Sequence, residues 1–188
     1  MTPRALVFDC DGTLADSMPA HFVAWGDALR PHGLVFPEER FYAAAGMSTR
    51  EIIEMLAREQ GRRVDVAAIA LDKDEQYLRH LEHVRPIEPV VAIAREHRGR
   101  IPMAVATGNV RRLAEATLGA LGICEWFQAI VGADEVARSK PAPDAFLEAA
   151  RRLGVDPREC RAYEDGDPGL EAARAAGMEA IDVRPWLG

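Results

Sequence analysis

The chain has 188 residues, 48% of them hydrophobic and 28% charged, which suits one ordinary domain or a core domain carrying a smaller insert. Its net charge of −7, from 23 basic and 30 acidic residues, argues against a nucleic-acid partner, and no apolar run approaches the roughly 18 residues of a membrane span. The first apolar stretch begins within a few residues of the start, so no signal peptide is expected. The three cysteines, Cys10, Cys124 and Cys160, lack metal-ligand spacing and read as free thiols of a cytoplasmic protein. Nothing in the composition demands more than a monomer.

In chain order, Ala5-Leu6-Val7-Phe8 reads as a strand buried on both faces, and Asp9-Cys10-Asp11-Gly12-Thr13-Leu14 marks where it emerges. Carboxyl ends of strands in an open parallel sheet are where ligands bind. Two carboxylates separated by one residue repel each other unless a cation intervenes, and a hard ion such as Mg²⁺ suits them. A calcium loop is excluded: the fifth, sixth and twelfth places counted from Asp9 hold Thr13, Leu14 and Ala20, where an acceptor, Gly and Glu are needed. A plain acidic turn is the alternative. Cys10, set between two acids, is in a field that raises its pKa and keeps it unreactive.

After Leu14 the period becomes helical. His21-Phe22, Trp25 and Leu29 share a helix ending at Pro31 and Gly33; Ile52, Ile53, Leu56 and Ala57 share another, capped by Ser48 or Thr49 and stopped at Gly61. A third helix is expected from Asp65 to Leu81. Residues 17–85 thus read as an all-helical cap without a strand, inserted into an α/β core of residues 1–16 and 86–188. From Pro86 strands and helices alternate: strands at 101–106, 129–131, 160–163 and 180–183, helices at 110–121, 143–153 and 168–176. The expected fold is a doubly wound, Rossmann-like parallel sheet with a helical cap.

Three further strand ends or loops carry polar groups. Thr107-Gly108-Asn109 offers a hydroxyl and backbone N–H groups to an anion at a helix N-terminus, or an ordinary cap. Lys140 is presented by a loop stiffened by Pro141 and Pro143, or is a solvated lysine. Glu164-Asp165 is a second acidic pair, or merely suits the dipole of the helix that follows.

Together these residues resemble the haloacid dehalogenase superfamily of phosphohydrolases over essentially the whole chain. Asp9-Cys10-Asp11-Gly12-Thr13-Leu14 resembles its first motif, Thr107 its second, Lys140 its third and Glu164-Asp165 its fourth, in order; Gly169 to Met178 resembles the helix after the fourth. Gly166 departs from the pattern, since close relatives usually carry Ser there. The resemblance implies Asp9 as nucleophile, forming an aspartyl-phosphate, and Asp11 as acid and base. It implies Mg²⁺ held by Asp9, the Asp11 carbonyl and Asp165, with Glu164 nearby, and a phosphoryl group gripped by Thr107, Lys140 and the amides of Gly108 and Asn109.

The helical cap is similar to that of the branch containing β-phosphoglucomutase and small sugar-phosphate phosphatases, with His21 and Lys73 as substrate contacts and Trp25 either packed or lining the pocket. The implied substrate is a small phosphate ester, a hexose phosphate or sugar-acid phosphate of the fructose-1-phosphate or 6-phosphogluconate type. The mutase itself is the alternative. Its second phosphate site uses cations where Thr49 and Val110 stand here, although Arg50 and Arg111 are each one residue away. Two other classes stay in view: a signalling receiver, which would lack the helical insert, and a non-enzymatic phosphate-binding protein.

Overall fold

The elements run β1 (Ala5–Phe8), β2 (Ala15–Asp16), α1 (Met18–Leu29), α2 (Glu38–Ala43), α3 (Thr49–Glu59), α4 (Val66–Arg79), β3 (Arg85–Pro86) and α5 (Glu88–His97). They continue β4 (Met103–Ala106), α6 (Arg111–Ala120), β5 (Ala129–Val131), α7 (Asp144–Leu153), β6 (Cys160–Glu164), α8 (Asp167–Ala175) and β7 (Glu179–Asp182). This is a computed structural model that describes residues 2–44 and 47–187.

Five strands form one parallel sheet in the order β5-β4-β1-β6-β7. β1 is central and wholly buried, which is why its four residues are all apolar. Alternation divides its side chains: Leu6 and Phe8 pack with Val90, Val91 and Leu118 of α5 and α6 on one face, while Ala5 and Val7 pack with Phe146, Ala149 and Ala173 of α7 and α8 on the other. The chain leaves β1 towards β4 and β5, then returns to its other side for β6 and β7. The reversal brings the carboxyl ends of β1, β4 and β6 together, the usual place for a ligand in such a sheet.

The helical insert has a separate apolar cluster that includes Trp25, Leu29, Phe36, Phe41, Ile53, Leu56 and Ile69. Ser48 and Glu51 form a reciprocal capping box on α3, and Asp65 accepts from the Ala68 N–H to cap α4. Another cluster, built from Ala20, Ala24, Tyr77 and Val84 with Leu113 of α6, joins the insert to the core.

Several elements differ from the expectation. β4 starts at Met103 rather than Ile101, because Pro102 has no N–H to give the ladder. A short α2 precedes α3, and the insert is tied off by a two-residue antiparallel ribbon in which Asp16 pairs with Arg85 and Ala15 with Pro86. Among the described residues no helix is long and apolar enough to cross a membrane.

Candidate active site

Where β1 ends, the chain turns sharply: the Cys10 carbonyl accepts from the Leu14 and Ala15 N–H groups at 3.0 and 2.9 Å. Gly12 makes this turn at φ +88°, and a side chain there would run into the Asp165 carboxylate. The turn therefore presses against the end of β6. Thr13 Oγ1 closes the contact by donating to Asp165 Oδ1 at 2.6 Å.

The buried Lys140 ammonium donates to Asp9 Oδ1 at 2.6 Å and to Glu164 Oε2 at 2.8 Å. Asp9, Glu164 and Asp165 each place a carboxylate oxygen within 4.8 Å of the others. Glu164 also accepts from the Gly166 N–H at 3.0 Å. Its carboxylate fills the space where a Gly169 side chain would stand, so the first turn of α8 can approach only with glycine there. At Gly166, by contrast, a Cβ would lie 3.3 Å from Glu164 Oε1, so a serine is excluded only mildly.

Asp11 faces the other way. Its carboxylate accepts from Ser17 Oγ at 2.6 Å and Asn109 Nδ2 at 2.7 Å, and His21 Nε2 lies 3.1 Å from Oδ1. Thr107 is buried and its Oγ1 accepts from the Asn109 N–H at 3.0 Å. Thr107 thus acts as a local cap, and Asn109 serves Asp11 through its side chain. The Asn109 N–H, expected to face a phosphoryl group, is paired with Thr107 here.

Two carboxylates one residue apart thus have opposite proton affinities. Burial, then the neighbouring Glu164, pushes Asp9 up to about 8 despite Lys140. Burial also works against charge on Asp11, but His21, Ser17 and Asn109 outweigh it and hold the group below the usual carboxylate range. Burial and Asp9 raise Asp165 to about 6. Burial disfavours the Lys140 charge as well, yet Asp9 and Glu164 overcome it and hold the amine protonated. Burial and then Lys73 lower His21, which favours the neutral imidazole; its Nε2 lies against the Asp11 carboxylate and 3.2 Å from Asn109 Nδ2, while Nδ1 has no partner among the described residues.

A cavity of about 130 Å³ lies over these groups. Asp9, Asp11, Thr107, Gly108, Asn109, Lys140, Glu164 and Asp165 line its floor, so every core residue singled out in the sequence meets there. His21, Lys73 and Trp25 reach it from α1 and α4. Trp25 does both things weighed for it, lining the cavity while its ring packs edge-on against Phe36 at 5.5 Å. Met18, Phe41, Ala44, Met47 and Ile52 complete an apolar roof that periodicity could place only as core. Ser17 and Thr13 also join the site, through Asp11 and Asp165. Their only sequence signal is a hydroxyl beside the acidic turn.

The cations weighed for a second anion site lie elsewhere. Arg50 pairs with Glu54, and Arg111 pairs with Glu115 and Glu135; Thr49 lines the cavity, and Val110 packs among apolar groups.

Residues 3–177 match the haloacid dehalogenase-like hydrolase family. The chain is 42% identical over 180 residues to the fructose-1-phosphate phosphatase YqaB of Escherichia coli, covering 95% of each chain. It is 29% identical over 200 residues to the β-phosphoglucomutase of Bacillus subtilis, covering 98% of this chain and 86% of that one. The crystal structure of CbbY from Rhodobacter sphaeroides in complex with phosphate superposes with a TM-score of 0.88 at 29% identity, over 96% of this chain and 85% of that chain. With the strand-end carboxylates, the buried lysine and the helical insert already in place, the chain belongs to the haloacid dehalogenase-like hydrolases, in the branch that includes β-phosphoglucomutase, and is a phosphoric monoester hydrolase.

Proposed function

We propose that this protein is a Mg²⁺-dependent phosphatase of small sugar monophosphates, acting through an aspartyl-phosphate on Asp9. The observation that carries the reading is the convergence of Asp9, Glu164, Asp165 and Lys140 on one point at the floor of a cavity.

The donor set fits a hard divalent cation. Three carboxylates share one ammonium in a buried site, and burial together with their mutual repulsion raises the proton affinities of Asp9 and Asp165 even with Lys140 in place, so a further positive charge suits them. Asp9 and Asp165 hold the ion, with the Asp11 carbonyl and Glu164 in support. Bound there, Mg²⁺ supplies charge neutralisation between the attacking carboxylate and the phosphate dianion.

The chain's own groups do the rest. Asp9 attacks phosphorus in line, and Lys140 with Thr107 and the Gly108 N–H hold the phosphoryl oxygens as charge spreads over them. Asp11 protonates the leaving oxygen and later takes a proton from the attacking water. Its resting partners favour the accepting form, so it gains the proton it donates when the substrate's negative charge arrives beside it.

The roof favours one phosphate and an otherwise neutral sugar. Among the described residues lining the cavity, Lys140 is tied to Asp9 and Glu164, which leaves Lys73 and His21 to meet the sugar. A second phosphate would face Met18, Phe41, Met47 and Ile52, with Lys73 the one lysine among the described residues of the roof and its ammonium already 3.6 Å from Asp74. This supports a hexose or hexulose monophosphate over the mutase reading, whose intermediate carries two phosphates. A phosphate-release screen with Mg²⁺ across hexose 1-phosphates, hexose 6-phosphates, hexitol phosphates and 6-phosphogluconate tests it. Turnover should be highest on a neutral hexose or hexulose phosphate. Release confined to sugar acids would refute the substrate assignment, and release from none of the esters would refute the phosphatase reading.

A further inference from the structure

Tyr77 lies behind the cavity wall rather than on it: the residue is fully buried and does not line the cavity. Its ring nevertheless touches both pocket groups that the insert supplies. The His21 imidazole stacks on it with centroids 3.8 Å apart and planes 6° from parallel, and the Lys73 ammonium lies 5.8 Å from its centroid. The hydroxyl end reaches across to the core, where Tyr77 Oη and Thr117 Oγ1 of α6 are 2.7 Å apart.

The direction of that hydrogen bond can be deduced. Thr117 has one hydroxyl hydrogen, and it donates this to the Leu113 carbonyl at 2.9 Å, so the Tyr77 hydroxyl is the donor to Thr117. One side chain therefore spans from a core helix to the imidazole that faces Asp11. An imidazole is free to turn about its terminal torsion unless something fixes its plane. Among the described residues His21 Nδ1 has no hydrogen-bond partner, so the ring plane is set by the contacts of Nε2 with Asp11 and Asn109 and by the face stacked on Tyr77.

We infer that Tyr77 is a positioning residue: stacked on His21 and tethered to Thr117, it holds the His21 Nε2–H against Asp11 in the geometry that proton delivery to the leaving group requires. The inference rests on the reading of Asp11 as the acid of a phosphatase. Tyr77 touches no substrate, and it matters in proportion to how much help the leaving group needs.

That dependence gives the test. Phenyl phosphate and 4-nitrophenyl phosphate have nearly the same shape, but phenoxide needs a proton on departure far more than nitrophenoxide. kcat/KM, which reports the steps through ester cleavage, is measured with Mg²⁺ for the wild type, Tyr77→Phe and Tyr77→Met, Met being chosen to fill the space without a ring. Tyr77→Met should lower kcat/KM about 30-fold on phenyl phosphate but less than about 3-fold on 4-nitrophenyl phosphate. Tyr77→Phe keeps the stack and should stay within about 3-fold of wild type on both. An equal fall on the two esters with Tyr77→Met, or no fall on either, would overturn the inference.

If Tyr77→Met does not fold, as judged by thermal unfolding, nuclear magnetic resonance of the wild type decides. Long-range proton–nitrogen correlations should show His21 protonated on Nε2, with ring protons shifted upfield of those of the exposed His83 by the Tyr77 ring current. An Nδ1–H tautomer or unshifted ring protons would overturn the inference. Failure of the phosphatase reading looks different, since the wild type would then cleave neither ester and both proposals would fall together.

Discussion

The floor and the roof of the cavity are made on different principles. The floor is a knot of charge, with Asp9, Glu164 and Asp165 held by the ends of the adjacent strands β1 and β6 and Lys140 reaching them from the loop before α7. The roof is mostly apolar, and its polar pair, His21 and Lys73, lies against the Tyr77 ring on helices whose own core is separate. A site divided this way can keep one chemistry while its choice of substrate changes, because the roof meets the floor's side chains chiefly through His21 and Asp11.

The largest effect should come from the floor. Asp9→Asn removes the nucleophile and should lower turnover on every phosphate ester by roughly 10³-fold or more, with the fold retained. Near-normal turnover by this variant would end the assignment of chemistry to Asp9.

Removing the cation of the floor should act on stability as well. Lys140→Met leaves Asp9 and Glu164 buried without their partner, which costs about 3 kcal/mol of unfolding free energy at pH 8. The loss should shrink at pH 6, where the acids take up protons instead. Chemical denaturation without metal at the two pH values measures it, and a loss that does not vary with pH would show that the charges are compensated elsewhere.

Changes in the roof should be milder and selective. Lys73→Ala and His21→Ala should raise KM for a hexose phosphate by about tenfold, and for 4-nitrophenyl phosphate by less. Equal losses on both substrates would erase the distinction between floor and roof.

The smallest expected effect is a pH slope in the metal-free protein. Asp9 has a folded-state pKa near 8 against an unfolded value near 4, so the folded state binds the extra proton and stability falls as pH rises through that window. His21, whose pKa is lowered on folding, opposes the trend below its ordinary value of about 6.5, which leaves pH 6.5 to 8 as the clear interval. The slope there should approach ~1.4 kcal/mol per pH unit and flatten when Mg²⁺ is added. A flat profile without metal would contradict the buried, underneutralised floor.

The floor was largely legible in the sequence because each of its residues follows an apolar run or lies in a loop stiffened by proline: Asp9 after Ala5–Phe8, Thr107 after Met103–Ala106, Glu164 at the end of β6, Lys140 before Pro141. What could not be read was the opposite fate of Asp9 and Asp11. That fate depends on Ser17, His21 and Asn109, which come from two different stretches of the chain and meet only in three dimensions. The roof was harder still. Phe41 sits on a six-residue helix too short to show a period, and Met18 and Ile52 carry the same apolar signal whether they face a core or a cavity. Gly169 looked like part of an ordinary helix start, and its necessity is visible only from the Glu164 carboxylate packed against it.

The central claim, one phosphate site below a mostly apolar roof, is tested most directly by following both possible fates of one substrate. The protein is incubated with β-glucose 1-phosphate, a trace of β-glucose 1,6-bisphosphate and Mg²⁺, and glucose 6-phosphate and inorganic phosphate are measured together. The structure predicts phosphate release with little glucose 6-phosphate. Rapid formation of glucose 6-phosphate with little free phosphate would contradict it, because a bisphosphate would then have been held at both ends in a cavity whose described roof residues offer only Lys73 beside apolar groups.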